Sequence, residues 1–206
     1  MIRSGFLLSP RATGAFAAAA VLVLGAPAYA HTGGGEDGVM AGFAHPFTGL
    51  DHMLAMVAVG LWAATQKGPT AWAAPATFIT VMLAGFGAAL AGGSLPLAEA
   101  GIAASVVVLG LLAATARRWP SGLAIVGLCA LFHGHAHGTE MPLATDPLVY
   151  GGGFCAATAL LHAIGFGAGR LTGQTYWARM GARMGGTRMG ARAAGIAIAV
   201  AGIFMF

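Results

Sequence analysis

Charge is the scarcest property of this sequence. Only 8% of its 206 residues are Asp, Glu, Lys or Arg, against about 25% in an ordinary soluble domain. That shortage excludes a water-soluble fold. It also excludes nucleic acid as a partner, because a formal net charge of +4 is too thin to build the clustered basic face that such binding needs. Lys67 is the single lysine and no G-x-x-x-x-G-K-[ST] stretch occurs, so nothing here cradles the phosphates of ATP. Cysteine is equally sparse. Cys129 and Cys155 lie in separate apolar runs without a CxxC partner, which reads as small packing residues rather than a metal or disulfide pair.

What the sequence has instead is apolar length. Hydrophobic residues make up 58% of it, and many of the 34 glycines sit inside apolar runs, where small residues let membrane helices approach closely. Gly165 with Gly169, and Gly134 with Gly138, have the GxxxG spacing.

The amino terminus reads as a processing signal. Arg3 and Arg11 precede an apolar stretch from Ala12 to Leu24, and Pro27-Ala-Tyr-Ala30 supplies a small-x-small cleavage site. An uncleaved first span is the alternative, but the run is short for the ~20 residues a bilayer needs, and Pro27 interrupts its end. Residues 1–30 are therefore expected to be removed. The mature chain, 31–206, then begins with a polar tail from His31 through Asp37, in which the free α-amine and imidazole of His31 offer a chelate.

Six apolar stretches follow, at about 48–65, 70–91, 97–116, 122–136, 148–169 and 190–206, each near spanning length. Breaker chemistry separates them: Lys67-Gly68-Pro69, Gly92-Gly93-Ser94-Leu95-Pro96, Trp119-Pro120, and Met141 to Pro147. The expected fold class is thus an all-α membrane protein, a six-helix transmembrane bundle. With the mature amino terminus outside, every later basic residue falls on the cytoplasmic side: Lys67, Arg117, Arg118, Arg170, Arg179, Arg183, Arg188 and Arg192. That satisfies the positive-inside rule for a bacterial inner membrane with a periplasmic amino terminus. The Arg-Met-Gly repeats after Leu171 read as a topology anchor against anionic lipid of the bilayer. The acids are on the opposite side, which the rule does not require: Glu36, Asp37, Asp51, Glu99, Glu140 and Asp146.

The histidines explain that asymmetry. His31, His45, His52, His133, His135 and His137 share the acid-rich side, and only His162 sits deep in a span. Imidazole suits nickel, zinc and copper, and neighbouring carboxylates raise the local cation concentration. In His45-Pro-Phe-Thr-Gly-Leu-Asp51-His52-Met-Leu-Ala-Met56, a continuous helix would leave His45 and His52 on one face but ~10 Å apart. Pro46 and Gly49 allow an irregular start that folds His45 back toward Asp51 and His52. Against this, Thr48-x-x-Asp51 matches a capping box, so Asp51 can instead serve a helix start. Met56, one turn after His52, is a soft ligand or plain packing. The second motif is His133-Gly-His135-Ala-His137-Gly-Thr-Glu140. In a helix His133 and His137 share a face with Glu140 one turn on, and His135 points away; extended, all three histidines share a face. A solvated His-rich helix end without an ion is the bland alternative. His162 and Glu99 are weaker members, since either can simply hydrogen-bond a neighbouring helix.

With these residues in view, the sequence resembles the HupE/UreJ family of hydrogenase and urease accessory membrane proteins. The likeness rests on the signal segment followed by His31, on His45-Pro-x-x-Gly49-x-Asp51-His52-x-x-x-Met56-x-x-Val59-Gly60, and on Phe132-His-Gly-His-Ala-His-Gly-x-Glu140. It extends to about Leu171. The resemblance implies a nickel permease, with cobalt for some members, working by facilitated diffusion and supplying metallo-enzyme maturation proteins. No permanently bound cofactor is expected; Ni2+ or Co2+ is the cargo. The His-x5-Asp-His element also looks like the His-x4-Asp-His of a separate nickel/cobalt transporter family. Two rivals stand beside this reading. One is a periplasm-facing protein that binds metal and hands it on without transport. The other is a membrane metallo-enzyme or haem protein, which would need paired histidines at depth where only His162 lies.

Overall fold

The computed structural model describes residues 36–116, 121–174 and 186–205. Among these residues all regular structure is helical: α1 Glu36–Thr48, α2 Leu50–Thr65, α3 Thr70–Leu90, α4 Ala98–Thr115, α5 Gly122–Thr139, α6 Pro147–Gln174 and α7 Gly186–Ile203. The proposed signal segment, His31 and the Arg179 and Arg183 repeats lie outside the described residues.

Each of the six apolar stretches carries a helix, but α1 precedes them. Glu36 and Asp37, read from the sequence as part of a polar tail, belong to this helix. It packs lengthwise on α6 because both partners are glycine at the crossing: a Cβ on Gly42 would fall on the Tyr150 carbonyl, and one on Gly153 on the Val39 carbonyl. Among the described residues three helices are long and apolar enough to cross a bilayer, α3, α4 and the Pro147–Leu171 part of α6. A fourth span arises if α1 and α2, bent by 84° at their junction, count as one broken span. That is fewer than the six expected. Helix α5 has 18 residues, but its three histidines lower its hydropathy, and the apolar part of α7 is the short Gly190–Ile203.

Close backbone contact holds the bundle. Gly134 lets α5 approach the Met82 carbonyl of α3, and Gly138 lies against Ala89 of that helix. Gly165 and Gly60 form a reciprocal seam between α6 and α2, each lying on a carbonyl of the other helix, Val57 and His162. Without water to compete for the backbone, such packing replaces the hydrophobic drive between membrane helices. The core runs through Met56, Val59, Trp62, Phe78, Met82, Val106, Leu109, Val126, Tyr150 and Phe154. The breaks behave as their residues require: Gly68 and Gly92 take positive φ, 61° and 81°, where glycine meets no Cβ penalty.

Candidate metal centre

The site begins with the break between α1 and α2. Pro46 removes a backbone donor from the last turn of α1, and the Thr48 hydroxyl donates to the His45 carbonyl at 2.7 Å. Gly49 then takes an extended conformation (φ −102°, ψ 119°) as the N-cap of α2. The capping box suggested by Thr48 and Asp51 does not form: Gly49 holds the N-cap position, without a side-chain cap hydrogen bond. Asp51 Oδ1 accepts instead from the His52 backbone N–H at 2.7 Å and from His52 Nδ1 at 2.9 Å. Gly49 makes room for this pair, since a Cβ there would sit 2.6 Å from Asp51 Oδ1 and 3.0 Å from His52 Nδ1. The bend carries His45 back over α2, so its ring centroid lies 5.7 Å from that of His52.

Helix α5 delivers the other half. It stays helical through Thr139, which separates its three histidines. His137 faces His45 and His52, with centroids at 4.8 and 5.0 Å, and stacks on Phe154 at 4.5 Å. His133, one turn deeper, lies 4.8 Å from His52. His135 turns away to the loop after α3 and donates from Nε2 to the Gly93 carbonyl at 2.9 Å. The three are therefore not equivalent.

His45, His52 and His137 each present a ring nitrogen within 4.8 Å of the others. One ion holding three imidazoles at ~2.1 Å puts them ~3.6 Å apart in a symmetric set, so the rings close by about an ångström when they share an ion. The hydrogen bonds decide which nitrogens are available. Because His52 Nδ1–H donates to Asp51, its lone pair is on Nε2, which is buried and without a partner. This is the carboxylate–histidine arrangement that orients a ligand and raises its basicity. Ser105 donates its one proton to the Ile102 carbonyl at 2.7 Å and so must accept from His133 Nε2, also at 2.7 Å. That leaves His133 Nδ1 bare. Both nitrogens of His137 are bare as well. An unsatisfied buried polar group costs ~1–3 kcal/mol, so this concentration of lone pairs is a strong sign of a cation site.

A mouth opens above the cluster: a cavity of about 250 Å³ lined by His45, Thr48, Gly49, Asp51, His52, Glu99 and Glu140. A divalent ion with six waters of about 30 Å³ each needs ~180 Å³ and fits. Glu140 Oε2 stands 3.3 Å from His45 Nε2. The hydrogen bond from His45 is the main influence that holds the Glu140 carboxyl below its ordinary pKa, so it stays anionic at the mouth. Glu99 is exposed at the rim. Asp146 has a different task, accepting from the Leu148 and Val149 N–H groups at the start of α6.

Met56 is fully buried one turn below His52. His162 is 3% exposed on α6, edge-on to Phe78 at 5.1 Å, and does not join the cluster of His45, His52 and His137. Sequence reasoning passed over Ser105, Phe154 and Tyr150. Ser105, a lone hydroxyl inside an apolar run, carried a signal, since a polar group within a span is a functional candidate by default. Tyr150, buried with its hydroxyl unpartnered and its ring 6.0 Å from His45, carried none beyond its place near a helix start.

Fold and site together define a helical membrane protein with a histidine and carboxylate cluster opening at one end of its bundle. The chain matches the HupE / UreJ protein family over residues 19–205, and it belongs to that family. The match includes α7, beyond the Leu171 limit of the resemblance drawn from sequence. The chain is also 47% identical over 154 residues to Protein HupE of Rhizobium leguminosarum bv. viciae, covering 74% of this chain and 81% of that protein. No solved structure matches it.

Proposed function

We propose that this protein admits nickel, or cobalt, across the bacterial inner membrane by facilitated diffusion, and so supplies hydrogenase or urease maturation. In this reading the acids and the mouth face the periplasm and the basic loops face the cytoplasm, which the one-sided distribution of Lys and Arg supports. The observation that carries the reading is the convergence of His45, His52 and His137, the last two with bare buried nitrogens, behind an acid-lined cavity. Glu99 and Glu140 gather the hydrated ion, His45 and Glu140 replace part of its water, and His52 and His137 draw it into the bundle. Imidazole with carboxylate suits a borderline divalent ion such as nickel or cobalt, whereas carboxylate and carbonyl alone would suit magnesium.

A metal-binding protein that passes its ion to a partner would use the same mouth. The buried donors below it, His133 and His162, favour passage, because an ionisable residue inside a span marks an ion path by default. The test is 63Ni accumulation in cells lacking their own nickel importer, with and without this protein. Accumulation that rises with expression supports transport. Surface binding that washes off with chelator, with no internal nickel, supports the delivery reading instead.

A further inference from the structure

Below the mouth the bundle holds one more set of donor atoms that the cluster does not use. His162 and Thr158 stand four residues apart on one face of α6, 3% and 0% exposed. The Thr158 hydroxyl donates to Met82 Sδ on α3 at 3.8 Å, and Phe78, one turn away on α3, meets the His162 ring edge-on. Neither ring nitrogen of His162 has a partner. The depth follows from α2: the His162 carbonyl lies where a Cβ on Gly60 would be, and Gly60 is eight residues after His52, ~12 Å along the helix. Met56, fully buried, lies between these two levels on α2.

Resting on the transport reading, we infer that His162, with Met82 and Thr158, forms a second, inner station for the same divalent ion, below and separate from the mouth cluster. Imidazole nitrogen and thioether sulfur are borderline and soft donors that suit nickel or cobalt. All three donors are neutral, and the chain's six acids are elsewhere: Glu36, Asp37, Asp51, Glu99, Glu140 and Asp146. The inner station therefore binds more weakly than the mouth. Conduction asks for this arrangement, since an ion held tightly at every level would not leave. An imidazole left bare in an apolar bundle is costly, and a passing ion supplies the partner that the neighbouring helices do not.

The test is Ni2+ equilibrium dialysis on the full chain, purified in detergent through a tag without histidine. His162→Phe fills the space and removes the ligand; it should bind one ion fewer than the wild type while the tighter binding step is unchanged. His162→Met, which restores a donor, should recover the ion at lower affinity. Met82→Leu keeps the volume and removes only the sulfur, and should weaken the second step about tenfold even if His162→Phe fails to fold. Equal stoichiometry in wild type and His162→Phe, or an unchanged second step in Met82→Leu, overturns the station. Uptake measured in parallel separates the two readings. A wild type that binds both ions but imports none sinks transport and leaves the station standing, whereas import by His162→Phe at the wild-type rate sinks the station alone.

Discussion

At the mouth, imidazoles from α1, α2 and α5 meet beside Asp51, Glu99 and Glu140; around His162 stand its own ring, the Thr158 hydroxyl and the Met82 sulfur, all neutral and buried. The first region is open, anionic and built across a broken helix. The second is closed, neutral and built on two continuous helices. Under the proposed transport, that difference lets one bundle both capture and release a divalent ion: charge and chelation stand where the ion would be taken from water, and weak neutral donors where it would move on.

The sharpest way to break that comparison is at His52. It touches the mouth cluster on every side, lying 4.8 to 5.7 Å from His133, His137 and His45, and it orients on Asp51. His52→Ala removes a ligand and leaves the Asp51 carboxylate without its partner, so nickel uptake at equal membrane abundance should fall about a hundredfold or more. Asp51→Asn keeps the shape but weakens the basicity of His52, and should cost about 10- to 100-fold in metal affinity. Normal uptake by both variants would show that the mouth cluster is not on the path.

A second contrast lies within one motif. His137 faces the cluster and His135 faces the Gly93 carbonyl. His137→Ala should weaken metal binding strongly. His135→Ala should leave affinity within about twofold and instead lower stability by ~0.5–1.5 kcal/mol, the ordinary worth of one hydrogen bond. Paired nickel titrations and thermal melts in detergent separate these outcomes. Equal losses of affinity would mean that the motif acts as a loose histidine collector, as a non-helical stretch would.

Proton competition sharpens the contrast with a smaller effect. Imidazole must be neutral to bind metal. The Glu140 carboxyl, held below its ordinary pKa by His45, keeps its charge until lower pH. Its share of stability is present above the ordinary carboxylate pKa and is lost only as pH falls through the depressed value. Nickel affinity should therefore fall as the pH is lowered from about 7.5 to about 5.5 and protons compete with the ion for imidazole, with the protein still folded. A flat profile over that range would point to carboxylate ligands alone.

Much of this was legible in the residues. The breakers at Gly68, Gly92 and Pro147 end or begin helices as read, and Pro46 with Gly49 indicated the fold-back of His45 that the 84° bend produces. Helix α1 was not legible. Glu36 and Asp37 look like a tail until Gly42 and Gly153 of α6 meet as the two halves of one crossing. The choice between His135 and its neighbours was open as well, because Gly134 and Gly138 permit either conformation. Packing on α3 decides it, since those glycines let α5 lie as a helix against Met82 and Ala89. Ser105 acquires a role only when α4 and α5 are placed side by side.

The central claim is that histidines from both halves of the broken mouth share one ion, and nickel K-edge X-ray absorption of the purified protein loaded with a single equivalent of Ni2+ tests it most directly. The spectrum should show imidazole scattering from three rings with oxygen completing the shell, and His137→Ala should lose one ring. A shell of oxygen alone, or an imidazole count unchanged in His137→Ala, would contradict it.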